Sequence, residues 1–142
     1  MLREELRQRL AAEFRYAATK MQEAKPNRKL FYFSVLFGET QRILNLEWDP
    51  DVALIYAVSF HTHSQITTLI AAVTQNPIVQ LDWELLFNKL TEATSDLAAY
   101  FESGQTDAER QQLCDIMARL ATIAYAASGN GSYMLERGTL KL

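Results

Sequence analysis

The sequence predicts an all-α protein, a single-domain bundle of about five antiparallel helices. Apolar residues recur every three or four positions over most of the 142 residues, which is the spacing of one helix face. The chain has only 5 glycines and 3 prolines, fewer than a turn-rich β fold needs. Its length suits one domain, because two domains would each be too small for a stable core.

Helix 1 is predicted over residues 2–24, where large apolar residues form one stripe, and Lys25-Pro26-Asn27 ends it. Helix 2 is predicted over residues 28–47, with Asn27 as its cap. Gly38 falls in its middle, where glycine costs about 1 kcal/mol relative to alanine. At Gly38 the sequence indicates either a close helix crossing or a ligand held against bare backbone.

Helix 3 is predicted to run from about residue 50 to 75. Asp49 is typical of an N-cap and Pro50 of a first helical position. Residues 52–81 contain no Asp, Glu, Lys or Arg, and an apolar helix of this kind is predicted to be central in the bundle. The polar stretch 61–68 interrupts the apolar run, so we expect a buried helix and not a membrane span.

The last two helices follow capping signals. Helix 4 begins either at Asn76-Pro77 or, after a short turn, at Asp82, and ends near Ser103. Helix 5 is predicted from the capping box at residues 106–109 to about Ser128.

The helical domain is therefore predicted to cover residues 1–128, with short connections that favour antiparallel neighbours. Residues 129–142 lack a helical period and are predicted to pack on this domain or on a second subunit. Because consecutive apolar residues at 30–33 cannot all face the core, Phe31 or Tyr32 is predicted to point away from it and to dock on another helix or on a second subunit. The candidate interface residues are Phe31, Tyr32, Tyr133, Met134, Leu135 and Leu140.

The polar stretch of helix 3 is a candidate ligand pocket. His61 and Gln65 share one helix face, and residues of helix 2 are expected to lie opposite. Buried polar groups need partners, so this stretch is either a satisfied core network or a small pocket. The candidate pocket residues are His61, Gln65, Thr68, Glu39 and Arg42.

Charge is unevenly distributed, although the net charge is only −3. Basic residues gather around the first helical hairpin, and acidic residues gather between residues 82 and 115. The basic set is interpreted as an ordinary solvated face, as a surface complementary to a partner, or as a site for phosphate or nucleic acid. Its members are Arg15, Lys20, Lys25, Arg28 and Lys29.

Motifs for catalysis or metal binding are absent from the sequence. His61 and His63 lie two positions apart and point about 200° away from each other on a helix. There is no His-Glu-x-x-His or Glu-x-x-His pattern, no Gly-rich phosphate loop and no Gly-x-Ser-x-Gly elbow. The single cysteine, Cys114, excludes an intrachain disulfide framework and a cysteine-based zinc cluster. We therefore expect no metal and no cofactor, and the sequence favours a non-enzyme.

These observations lead to three functional hypotheses. The first is a non-catalytic helical interaction or assembly protein, homodimeric or bound to a protein partner. The second is a ligand-binding bundle or an enzyme with its pocket at the polar stretch of helix 3. The third is a small subunit of a nucleoprotein assembly that binds through the basic set. Because the first residues are charged and lack the apolar core of a secretory signal, we expect a cytoplasmic protein that does not bind membranes.

Overall fold

Five α-helices form the bundle in a computed structural model that describes residues 3–75, 83–103 and 107–128. The described residues contain no β-strand. The all-α prediction is thus confirmed. The helices are α1 (Glu4–Glu23), α2 (Pro26–Leu46), α3 (Pro50–Gln75), α4 (Trp83–Glu102) and α5 (Asp107–Ala127).

The α1–α2 junction differs in one detail from the sequence prediction. Ala24 and Lys25 both have extended backbone, as expected for a chain that approaches a proline. Pro26 is then the first helical residue, so α2 begins two residues earlier than predicted and Asn27 lies inside the helix instead of capping it. Proline suits this position because the first helical N–H has no partner within the helix.

The start of α3 follows the prediction. The carboxylate Oδ1 of Asp49 accepts hydrogen bonds from the backbone N–H groups of Asp51 (2.9 Å) and Val52 (3.1 Å). Asp49 is buried and acts as the N-cap, and Pro50 occupies the first turn.

In the described residues α1 packs against α2, α2 against α3, and α4 against α5, and α1 makes its most extensive contact with α4, which runs antiparallel to it. Arg7 near the start of α1 donates a hydrogen bond to the carbonyl of Phe101 near the end of α4, and Arg15 donates to Ser95, earlier in α4. The rings of Phe14 and Phe101 lie 5.2 Å apart in the core between these two helices.

Helices α3 and α5 run in the same direction. Arg110 and Asp51 form an ion pair (3.2 Å) near the starts of the two helices. About three turns further along, the hydroxyl of Thr62 donates to the carbonyl of Leu120 (3.2 Å).

Among the described residues, α3 packs mainly against α2 and α5, whereas α2 and α4 each make substantial contact with three other helices. Leu54 and Phe60 of α3 are exposed although the helix carries few charged residues. The central position of α3 in the bundle stays a prediction.

Several predicted features lie outside the described residues. They are the possible starts of helix 4 at Asn76-Pro77 and Asp82, Thr106 of the capping box, and the tail 129–142 with Tyr133, Met134, Leu135 and Leu140.

Candidate interaction surface

The outer side of the α1–α2 hairpin carries aromatic side chains because four large apolar residues follow one another in α2. At about 100° per residue they point in different directions. Leu30 and Phe33 enter the core, Tyr32 is half-buried, and Phe31 remains 49% exposed. The rings of Phe31 and Tyr32 meet edge to face with their centroids 5.4 Å apart.

A groove of about 220 Å³ lies between α1 and α2 next to these rings, and we call it the α1–α2 groove. Its walls include three strongly exposed apolar side chains: Tyr16 (58% exposed), Phe31 and Val35 (47%). Large apolar side chains that share one exposed surface are typical of a binding site for another molecule. The lining residues are Glu13, Tyr16, Ala17, Phe31, Tyr32, Val35 and Leu36.

Two cations cover the aromatic rings at this groove. The guanidinium carbon of Arg28 lies 4.7 Å from the ring centroid of Phe31 and 5.9 Å from that of Tyr32. The ammonium nitrogen of Lys20 lies 5.7 Å from the ring centroid of Tyr16. Cation–π contacts of this kind are worth about 0.5–1 kcal/mol at exposed sites. They link Lys20 and Arg28 to the aromatic rings that border the groove.

Gly38 continues the outer face of α2. It lies seven residues after Phe31 and three after Val35, so the three positions share one side of the helix. Gly38 is exposed, and a Cβ added to it would meet no atom within 4 Å in the described part of the chain. No described helix of this molecule therefore explains the glycine by crossing closely over it.

The predicted basic set is divided among different roles. Lys29 is buried and donates a hydrogen bond to the main-chain carbonyl of Met21 at the end of α1. Arg15 contacts Glu102 of α4 through its guanidinium (2.5 Å), an ion pair that lowers the pKa of the Glu102 carboxyl. Lys20 and Arg28 border the α1–α2 groove.

Lys25, the remaining member of the basic set, is exposed at the start of α2. The five basic residues therefore do not form one patch.

The predicted pocket residues lie on α2 and α3. His61 and Thr68 are exposed on α3, and the Thr68 hydroxyl donates to the carbonyl of Ser64 (2.9 Å). Glu39 faces α1, where it pairs with Arg9 (2.7 Å) as well as with Arg42 of its own helix. Gln65 is half-buried.

His63, not His61, packs against α2. Its ring centroid lies 4.9 Å from that of Phe37. Burial lowers the pKa of the His63 imidazole.

Other cavities are larger than the α1–α2 groove. One of about 530 Å³ lies between the first hairpin and α4 and includes Lys29, another of about 470 Å³ lies between α4 and α5 and includes Asp96 and Arg119, and another of about 410 Å³ includes Lys29 and Glu84. The Lys29 ammonium is bonded to Met21, and Arg119 pairs with Asp96 (2.6 Å). These two cations thus already have partners within the chain.

Within residues 3–75, 83–103 and 107–128, no group of three or more His, Cys, Asp or Glu side chains is arranged to hold a metal ion. None of the helices in these same ranges combines the length and hydropathy that crossing a membrane requires.

Sequence reasoning identified Phe31 and Tyr32 but missed Tyr16 and Val35, which complete the groove. Tyr16 carries a detectable signal, since it falls off the apolar stripe of α1 and its large ring is therefore directed outward. No protein-family model, no curated protein and no solved structure matches this chain.

Proposed function

We propose that this chain is a non-catalytic helical interaction protein that forms a homodimer through the α1–α2 groove and the adjoining outer face of α2. The observation that carries the proposal is the clustering of Tyr16, Phe31 and Val35, all strongly exposed, around one groove. Aromatic residues and arginine are enriched where protein interfaces gain most of their binding energy. Arg28 lies over the ring of Phe31, so the groove has an arginine and an aromatic residue side by side.

A second copy of the chain is the partner that the observations favour. Leu46 and Trp48, at the opposite end of α2 from Phe31, are 77% and 74% exposed. One molecule thus carries both a groove with aromatic walls and protruding apolar side chains suited to cover it. In a two-fold symmetric contact the groove of each copy receives Leu46 and Trp48 of the other copy, so the same contact is made twice.

The test is the mass of the protein in solution. We expect sedimentation velocity to give a dimer for the native sequence and a monomer for Phe31→Glu, because a charge buried in an apolar contact loses its solvation. Circular dichroism of Phe31→Glu should match that of the native protein, since Phe31 lies outside the core.

Leu54→Glu is the matched control. It places the same charge at an exposed leucine of α3, away from the α1–α2 groove, and should leave the dimer intact. A native protein that stays monomeric at all accessible concentrations would refute the proposal, and so would a Phe31→Glu variant that dimerises as tightly as the native chain.

A further inference from the structure

We propose that, in this homodimer, α2 of one copy crosses α2 of the second copy in antiparallel orientation, with Gly38 at the point of closest approach. The inference rests on the proposed function and specifies the geometry of its contact. Its basis is the position of Gly38 on the same outer side of α2 as Phe31 and Val35, with open space above it.

Gly38 is unfavourable for the isolated chain. A glycine inside a helix loses more backbone freedom on folding than alanine does. The fold gains nothing in return, because a Cβ at this position would meet nothing within 4 Å among the described residues. A second helix lying across α2 could approach its backbone more closely at Gly38, since the distance between two packed helices depends on the size of the side chains at the contact.

The charges at the ends of α2 favour the antiparallel orientation. The first turn of α2 has no acidic residue, and the exposed Lys25 and Arg28 lie at this end. The last turn has no basic residue. Glu47 follows it, but its carboxylate already pairs with Arg3 (2.7 Å), so the negative charge left at this end is that of the helix terminus. Basic groups are disfavoured at the positive end of a helix dipole and favoured at the negative end. An antiparallel crossing brings the basic end of each α2 to the negative end of the other.

In an antiparallel crossing at Gly38, exposed side chains before Gly38 in one copy lie opposite those after Gly38 in the other copy. Arg28 precedes Gly38 by ten residues of α2 and so lies about 15 Å from the crossing along the helix, at 1.5 Å per residue. Leu46, the last residue of α2, lies about 12 Å from the crossing on the other side, and Trp48 follows it by two residues. A two-fold axis at Gly38 therefore brings the Arg28 end of one copy to the Trp48 end of the other. Arg28 already stacks on Phe31, and the exposed Trp48 ring of the second copy extends this arrangement of cation and aromatic rings.

The first experiment separates the two effects of a methyl group at position 38. In the Phe31→Glu monomer, Gly38→Ala should raise the melting temperature by about 2–4 °C, since alanine is the better helix former. In the otherwise native chain, the same change should weaken the dimer at least tenfold in dissociation constant, because the two backbones are held apart. Ala121→Leu, on the exposed side of α5, is the control for added bulk and should leave the dissociation constant unchanged.

The second experiment measures the orientation. Spin labels are attached to single cysteines at Lys25, Gln41 or Asn45 in a Cys114→Ser background, and the distance between the two copies is measured by electron paramagnetic resonance. An antiparallel crossing at Gly38 predicts axial separations of about 9 Å for Gln41, 21 Å for Asn45 and 39 Å for Lys25. A parallel arrangement predicts similar distances at all three sites.

The outcomes distinguish this inference from the proposed function. A dimer that Phe31→Glu disrupts but Gly38→Ala leaves unchanged or tightens would overturn the crossing at Gly38 and retain the homodimer. Equal label distances at the three sites would overturn the antiparallel orientation. A native chain that is monomeric would overturn the proposed function itself.

Discussion

The ammonium group of Lys29 in α2 is bonded to the main-chain carbonyl of Met21 in α1. Met21 belongs to the last turn of α1, where carbonyl groups lack partners within the helix. The contact joins the two helices of the first hairpin and places a cation at the negative end of the α1 dipole. Lys29, which the sequence places in a basic binding set, therefore stabilises the contact between α1 and α2.

Lys29→Met should lower the free energy of unfolding by about 1–3 kcal/mol, because the buried carbonyl of Met21 loses its hydrogen-bond partner. Urea denaturation followed by circular dichroism measures this change. Lys25→Met is the matched control at an exposed position and should change stability by less than about 0.5 kcal/mol. Equal effects of the two substitutions would contradict a structural role for Lys29.

Asp49→Ala should cost about 1–2 kcal/mol of stability, since the N–H groups of Asp51 and Val52 lose the oxygen that caps α3. Asp49→Asn keeps an oxygen at the same place and should retain most of the native stability. Thermal and urea unfolding of both variants checks the prediction. Losses of similar size in the two variants would show that the charge of Asp49, and not the cap, stabilises the helix.

Tyr100 should resist ionisation in the folded protein. Its ring is buried and its hydroxyl lies 3.2 Å from the Asp51 carboxylate, and burial together with this negative charge raises the pKa of Tyr100 well above the usual value near 10. Ultraviolet absorbance between pH 9 and 12 should therefore show less tyrosine ionisation in the folded chain than in urea, and Tyr100→Phe should reduce that difference.

The sign of the accompanying stability change follows from the raised pKa of Tyr100. The unfolded chain releases the proton first, so the stabilisation is complete below about pH 10 and declines as the pH rises further. Tyr100→Phe should lose about 1 kcal/mol at neutral pH, from the missing hydrogen bond to Asp51, and should show a weaker decline in alkali.

His63 should make the protein less stable in mild acid. Burial lowers its pKa below the usual 6.5, so the unfolded chain binds a proton more readily than the folded one. The stabilisation is complete above about pH 6.5 and is lost as the pH falls through the range between the two pKa values. Urea denaturation at pH 7.5 and at lower pH should show this loss, and His63→Gln should reduce it.

His61→Gln is the matched control for His63, because His61 is exposed on the same helix. The acid sensitivity assigned to His63 should persist in His61→Gln. If His61→Gln removed the acid sensitivity and His63→Gln retained it, the assignment to the His63–Phe37 contact would be wrong.

The sequence predicts the helices well where a local capping signal determines their ends. Asp49 and Pro50 mark the start of α3 because a side-chain oxygen and a fixed φ both act within one turn. At Pro26 the sequence prediction is wrong by two residues. It makes Asn27 the cap of α2, whereas Pro26 itself begins the helix after Lys25.

The candidate surface was only partly predictable, for reasons of long-range packing. Helical spacing alone directs Phe31 away from Leu30 and Phe33. By contrast, the partner of Arg15 lies 87 residues away in sequence, and the partner of Lys29 is a main-chain carbonyl, which no side-chain pattern reveals. Neither basic residue can be distinguished from a free surface charge until the helices are placed in space.

The pairing of α1 with α4 has a consequence for how the chain folds as it is made. Arg7 and Phe101 meet across 94 residues of sequence, and the aromatic core between the two helices forms only when both are present. A ribosome that has made α1, α2 and α3 has therefore not yet supplied the main partner of α1. The apolar stripe of α1 stays open to other contacts during that interval, which makes chains interrupted before α4 prone to aggregation.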